Sequence, residues 1–389
     1  MYSALFAAGV LIVGIPYCLS VAGQWFHGLP SLPGYKKYLE VISPRRVYNL
    51  TVALLDLLSY LRYTNLYIQW KACYRSLNEA SCVKDIQFGK NENSLDVYFP
   101  TVKGFDKSSA RLPALIYVFG GGWESGSRTM YCLLAQQLAN DLNVVVICTD
   151  YSLYPKPTIR DIVQQINRSL FQIKDPQVRS VIKKCTIVDM VQDLVDCIGW
   201  TRDHGHSYGI DKEKVTLMGH SCGAHLCALT AMYLAGENEE IKIDTTKQRE
   251  LLSSLKGIIG LSGVYHINDH YRHETWRGIE YVSAMCRVMK GEENFDRYSP
   301  ATYISTLTKE STSRLPPFVL LHGIKDKVVP VESSLRFSSA LLVASVKETL
   351  HVLPDVDHTA IVMDLMDRNR SSYTTLHEHV RKELQNIYF

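Results

Sequence analysis

From about Asp85 to the C-terminus the chain alternates short apolar runs with longer amphipathic stretches. Ser94–Phe99 alternates apolar and polar positions and stops at Pro100, as a strand does. Ala114–Phe119, Asn143–Cys148, Lys214–Met218, Lys256–Leu261, Phe318–Leu321 and Glu348–Leu353 are mostly apolar without clean alternation. That pattern suits strands buried on both faces. Thr129–Leu142, Ile187–His204 and His225–Leu234 read as helices between them. Strand–helix–strand alternation predicts an α/β fold with a mostly parallel central sheet flanked by helices. Lys242–Leu255 is polar and charged and reads as a surface excursion. The sequence contains no internal repeat and no low-complexity segment.

The N-terminus has a different pattern. Ala4–Phe26 carries no charge and is about long enough to cross a bilayer core. It predicts a hydrophobic helix acting as a membrane anchor. A cleaved signal peptide, with Val21-Ala22-Gly23 at the cut, is the alternative, but no basic stretch precedes the apolar run. Lys36, Lys37, Arg45 and Arg46 follow it, which by the positive-inside rule puts the next domain on the cytosolic side. In Val47–Tyr67 leucines recur at helical spacing, interrupted by Asp56 and Arg62. Such a helix lies on a membrane surface, caps an active site, or packs on the domain. The expected organisation is an anchor or signal segment over 1–30, a helical segment that is membrane-associated or a cap over 31–84, and a catalytic domain over 85–389.

Composition excludes several classes. The net charge is +3, charged residues are 21% and hydrophobic residues 46%, an ordinary globular balance. No Lys/Arg stripe with interleaved aromatics argues for nucleic acid. None of the ten cysteines forms a C-x-x-C pair, and no histidine cluster joins them at zinc spacing, so no metal is expected. Most read as small buried hydrophobes, as Cys148 does within an apolar run. Disulfides, and glycosylation at Asn49, Asn167 or Asn369, matter only for a lumenal domain.

Four places carry candidate chemistry. Gly219-His220-Ser221-Cys222-Gly223 fits G-x-S-x-G between an apolar run and a helical stretch, the context of a nucleophile elbow. The turn is so tight that its flanks must be glycine, and it holds Ser221 at the positive end of the following helix. Phe119-Gly120-Gly121-Gly122-Trp123 ends another apolar run. Glycines let backbone N–H groups approach an oxyanion, so Gly121, Gly122 and the N–H of Cys222 are the expected donors. No dinucleotide fingerprint or Walker lysine accompanies them. Asp326 follows the run ending at Leu321 and suits a carboxylate that orients a histidine. His358, after Glu348–Leu353, is the expected base, and the order Ser221, Asp326, His358 is that of a triad on this kind of sheet. His220, His225, His322 and His351 read as structural, with His322 placed to support the acid loop. Such a site needs no metal and no organic cofactor.

Together these residues resemble the α/β-hydrolase esterases with an HGGG-type oxyanion loop, the hormone-sensitive-lipase-like and kynurenine-formamidase-like enzymes. Within that set the chain is most similar to the isoprenylcysteine α-carbonyl methylesterase family. Gly120–Trp123, Met218–His225, Gly260–Tyr265, Met289–Phe295 and Tyr298–Pro300 carry the likeness. Asp150-Tyr151 sits where such esterases have Asp-Tyr-Arg, with Ser152 replacing the arginine. Phe119 stands where histidine-bearing relatives have His, which weakens the lipase and formamidase analogies most. Cys222 stands where Ala is common, and only its N–H is expected to matter. The resemblance implies a serine hydrolase that removes the methyl ester from a prenylated cysteine, at a membrane of the endoplasmic reticulum or Golgi. Secretion is the less favoured location. The rivals are a general carboxylesterase, lipase or formamidase, and an inactive membrane-anchored binding protein of the neuroligin type. The filled triad positions argue against the last.

Overall fold

Eight strands hydrogen-bond into one sheet in the order β1-β2-β4-β3-β5-β6-β7-β8. They are β1 (Cys82–Phe88), β2 (Asn93–Tyr98), β3 (Leu112–Val118), β4 (Val145–Thr149), β5 (Ile210–His220), β6 (Leu255–Leu261), β7 (Phe318–Gly323) and β8 (Glu348–Leu353). The pairs β1–β2 and β2–β4 are antiparallel and the remaining pairs are parallel. In this computed structural model the described residues are 6–15, 17–18, 43–101, 105–154, 185–280 and 283–388, the side chains of Leu54 and Leu57 excepted.

The sheet is covered by helices, as the strand–helix alternation predicts. The longer ones are α1 (Pro44–Leu58), α2 (Thr64–Ser76), α3 (Cys132–Leu142), α4 (Ile187–His204), α5 (Cys222–Ala235), α6 (Thr245–Ser254), α7 (Ile267–Arg277), α8 (Glu332–Val343) and α9 (Tyr373–Tyr388). All of α5 is buried, against β5 and β6 on one side and α4 on another. That explains why its sequence has no polar face: it is apolar all round because no side of it meets water. A capping box starts α4, in which Thr186 and Asp189 satisfy each other's backbone N–H groups, an arrangement contributing about 1 kcal/mol.

Three readings of the pattern need correction. The strand β1 was not expected, because a bulge between Val83 and Ile86 puts Asp85 at φ 59° and breaks the period of two. Lys242–Leu255 is not an excursion but contains α6, capped by Asp244, with Gln248, Leu251 and Leu252 buried at helical spacing. Asn143 belongs to no strand; it ends α3 in the left-handed region at φ 52°, which asparagine tolerates.

Val47–Tyr67 falls on α1, a short 3-10 turn (Ser59–Tyr63) and the start of α2. α1 packs on α7, burying Leu50 and Ala53, and a buried ion pair joins Arg46 to Glu280 at 2.7 Å. Tyr48, Val52, Leu55 and Leu58 remain on its exposed side, Tyr48 at 68%. Of the N-terminal apolar run, residues 6–15 are helical and largely exposed. The rest of that run lies mostly outside the described residues, as do Lys36, Lys37 and Asn167. Among the described residues no helix is long and apolar enough to cross a membrane.

Candidate active site

β5 ends at His220 and α5 begins at Cys222, leaving a single residue for the turn. That residue is Ser221, held at φ 56° and ψ −122°, a conformation that costs an L-residue of order 1–3 kcal/mol. Its N–H is anchored on the Leu261 carbonyl at 2.9 Å. The flanking glycines are explained by contact. A Cβ on Gly219 would collide with the backbone of Gly223, and one on Gly223 with the carbonyls of Val118 and Phe119.

Three side chains from separate strand ends meet at this turn. The Ser221 hydroxyl donates to His358 Nε2 at 3.0 Å, and His358 Nδ1–H donates to Asp326 Oδ2 at 2.8 Å. Ser221 is 7% exposed and Asp326 and His358 are similarly buried. Asp326 follows β7, and its other oxygen accepts the N–H groups of Val328 at 2.9 Å and Val329 at 2.8 Å. Burial opposes ionisation of Asp326, but His358 beside it, with hydrogen bonds from His322 and His358, holds the carboxyl well below the usual carboxylate range. His322 Nε2 lies 3.3 Å from Asp326 Oδ2 and 2.9 Å from the Val329 carbonyl, while its Nδ1 accepts from Ser334 at 2.7 Å. His322 thus braces the acid loop.

The other histidines serve the frame. His220 Nε2–H donates to the backbone carbonyl of His358 at 2.8 Å, and His225 Nε2–H to that of Tyr298 at 2.7 Å. Burial lowers His220 to about 3 and His225 to about 4, so both are neutral. His351 pairs with Glu383 away from this turn.

Gly121 (φ 141°) and Gly122 (φ 62°) form the loop after β3. A Cβ on Gly121 would strike the backbone of Ser125, and one on Gly120 would crowd His220 and Ser221. The side chain of Cys222 holds this loop, beyond the role of its N–H. Trp123 N–H donates to its sulfur at 3.3 Å. Tyr151 adds a hydroxyl 3.6 Å from that sulfur and donates to the Phe119 carbonyl at 3.1 Å.

Sequence reasoning missed the support beneath the loop. Arg128 Nε–H donates to Asp96 at 2.9 Å, its guanidinium also binds Asp85 and Asp150, and its backbone N–H donates to Asp150 at 2.9 Å. The Asp-Tyr pair after β4 was the available signal, since an acid at a strand end needs a cation. Also missed was Arg62, which pairs with Asp357, the residue preceding His358. Asp357 in turn accepts the N–H groups of Thr359 and Ala360. The turn after α1 therefore reaches the loop that carries His358.

A cavity of about 270 Å³ lies between these parts, lined by Ala53, Asp56, Tyr60, Arg277, Val328 and His358 among others. A larger hollow of about 620 Å³, lined by residues such as Ile304, Leu307 and Val343, contains none of the hydrogen-bonded chain. Among the described residues no His/Cys/Asp/Glu cluster could hold a metal ion.

A family model described as BD-FAE matches residues 161–341. The chain is 30% identical over 295 residues to "Probable isoprenylcysteine alpha-carbonyl methylesterase ICMEL2" of Arabidopsis thaliana, covering 75% of this chain and 60% of that protein. It is 25% identical to a kynurenine formamidase of Danio rerio, covering 76% of this chain and 80% of the relative. Among solved structures, esterase B of Lactobacillus rhamnosis superposes with a TM-score of 0.57 at 16% identity, covering 86% of this chain and 95% of that one. A thermophilic esterase of Thermogutta terrifontis gives 0.51 at 21% identity, covering 77% and 89%. The likeness to these structures, at such identities, is one of fold. The sheet order, the single-residue turn at Ser221 and the superposed structures give this chain the α/β-hydrolase fold, and the relatives it is similar to are named as esterases and a formamidase.

Proposed function

We propose that this chain is a serine carboxylic-ester hydrolase for hydrophobic esters, and that the methyl ester of a prenylated cysteine is its substrate. The observation carrying the hydrolase reading is the continuous chain from Asp326 through His358 to the Ser221 hydroxyl, with the hydroxyl at the tip of a strained turn. In the proposed reaction His358 Nε2 takes the Ser221 proton as the oxygen attacks the ester carbonyl. The ionised Asp326 stabilises the resulting imidazolium. The N–H groups of Gly121, Gly122 and Cys222 receive the oxyanion. The imidazolium then protonates the departing alcohol, and water attacks the acyl-enzyme by the same steps in reverse roles.

The relative named as a methylesterase supports the finer substrate. The chain spans 60% of that relative's length. A location at an endoplasmic reticulum or Golgi membrane belongs to the same proposal. The uncharged run Ala4–Phe26 supports it. So do exposed Tyr48, Val52, Leu55, Leu58 and Leu61, on the same helix and turn that contribute Ala53, Asp56, Ser59 and Tyr60 to the cavity beside His358. A prenyl chain partitions into lipid, and an apolar face next to the site would meet it there.

The test is side-by-side turnover of a prenylcysteine methyl ester, a short p-nitrophenyl ester and N-formylkynurenine. The proposal expects the prenyl ester to have the highest kcat/KM. Preference for the short ester or the formamide replaces it with a general esterase or a formamidase. Turnover of none of the three favours the inactive binding protein.

A further inference from the structure

Cys73 lies in the last turn of α2 and Cys132 is the first residue of α3, both apart from the Ser221 turn. The two helices pack together and their polar groups interlock. The Cys73 thiol donates to Gln136 Oε1 at 3.0 Å, one turn beyond Cys132. The Cys132 thiol donates to the Trp70 carbonyl at 3.4 Å, one turn before Cys73. Each thiol therefore reaches across to the other's helix, within one turn of the other cysteine. Cys132 is buried, whereas Cys73 is half-buried, and neither is in a disulfide in this structure.

We propose that Cys73 and Cys132 are a disulfide-forming pair, closed by a small-molecule disulfide such as oxidised glutathione, that tethers the helical segment α1–α2 to α3, which covers the sheet. Thiol–disulfide exchange needs one reachable attacking thiol and a second that reaches only the first. Cys73 fits the first role: it meets solvent, and the neighbouring Cys132 thiol holds its own below the ordinary range. Cys132 fits the second, since the neighbouring Cys73 and its burial raise its own thiol, and that burial shields it from glutathione. The Cys73 thiolate attacks one sulfur of oxidised glutathione, forms a mixed disulfide and releases one glutathione thiolate. Cys132 then loses its proton, attacks the Cys73 sulfur and expels the second glutathione. The protein thiols lose two electrons and two protons, and the glutathione disulfide becomes two thiols.

The tether has a consequence for the site. α2 follows the Ser59–Tyr63 turn, and Arg62 of that turn binds Asp357 beside His358. A Cys73–Cys132 bond fixes the C-terminal end of this segment while Arg62 holds the turn between its two helices. The inference is independent of the ester reading, because it concerns thiols the reaction does not use.

The experiment equilibrates the full chain with excess oxidised glutathione, blocks remaining thiols by alkylation, and maps peptides without reduction. The expected result is a peptide linking Cys73 to Cys132, lost on adding dithiothreitol and absent in Cys73→Ser. Hydrogen exchange across residues 59–76 slows on oxidation in the wild type and is unchanged in Cys73→Ser. Cys73→Ala is the second variant, should the serine alter folding. The proposal is overturned if both thiols alkylate fully in folded, oxidised protein. It is equally overturned if Cys73 stops at a glutathione adduct, or if either residue links to a different cysteine.

Discussion

His220 Nε2–H is bonded to the backbone carbonyl of His358 at 2.8 Å, so the residue preceding the nucleophile fixes the loop that carries the base. The two rings lie 4.8 Å apart. Because burial lowers His220 to about 3, the ring is neutral across the working range. His220→Ala removes the donor and leaves the His358 carbonyl buried without it, which costs about 1–3 kcal/mol. Part of that cost appears as misplacement of His358 from Ser221. The expected outcome is a fall in kcat of about tenfold with KM little changed, read from steady-state ester hydrolysis. An unaltered kcat would mean that the base is positioned by Asp326 and Asp357 alone.

The glycine loop gives a graded pair of variants. Gly121→Ala places a Cβ against the Ser125 backbone in a region that favours glycine. The loop must move, and loss of an oxyanion donor costs about 10²–10³ in kcat. Cys222→Ala keeps the backbone N–H but deletes the sulfur that accepts from Trp123. Only weak sulfur contacts, with Trp123 and Tyr151, are at stake, about 0.5–1.5 kcal/mol, so kcat falls only several-fold. The ratio of the two kcat losses, measured on one ester, checks the assignment.

Arg128 is 8% exposed and serves Asp96, which is fully buried, together with Asp85 and Asp150. In Arg128→Leu, Asp96 keeps the Tyr74 hydroxyl and the Asp85 N–H but loses its cation. Removing one partner of a buried ion pair costs about 3–5 kcal/mol. Urea denaturation should show that loss, at an unchanged slope. Conservative Arg128→Lys should recover only part of it, because one ammonium cannot reach three carboxylates with the geometry of a guanidinium.

Stability should peak near pH 6.5. Burial lowers His220 and His270 to about 3 and His225 to about 4, against 6.5 in the unfolded chain. Below 6.5 the unfolded chain therefore binds more protons, and stability is lost as pH falls from 6.5 through 4 to 3. Asp326, also lowered, adds a loss below its ordinary 3.8. Glu274 has the opposite sign: burial pushes it up to about 8, so the folded state keeps a proton that the unfolded chain releases near 4.5. Its contribution is lost as pH rises from 4.5 to 8. Between 4.5 and 6.5 the three histidines outweigh the one glutamate; above 6.5 their contribution is complete and the loss from the glutamate remains. Melting temperatures measured from pH 4 to 9 check this, with His225→Gln flattening the acid limb and Glu274→Gln the alkaline limb.

What could be read from the chain follows a physical line. Ala114–Val118 and Val215–Met218 are buried on both faces, so an apolar run alone identifies them as strands. The nucleophile turn announces itself because only glycine fits at 219 and 223. β1 was hidden because Asp85 leaves the strand pattern to meet Arg128, a partner distant in sequence. α6 was hidden because only one narrow stripe of it is buried while Arg249 and Glu250 pair outward. The sulfur of Cys222 could not be read as a loop anchor, since its partner Trp123 approaches only after β3 and β5 pair. The alternatives for Val47–Tyr67 stayed open because an amphipathic pattern states that one face is covered, and not by what.

The most direct test of the central claim is intact-mass and peptide analysis after treatment with a fluorophosphonate. The account predicts one adduct per chain, on Ser221, with labelling abolished in a folded Ser221→Ala variant whose kcat falls by about 10³-fold or more. It also predicts labelling at least tenfold slower in His358→Ala, because the hydroxyl then lacks the base 3.0 Å away. No adduct on a folded wild type, or equal labelling of Ser221→Ala, would contradict it.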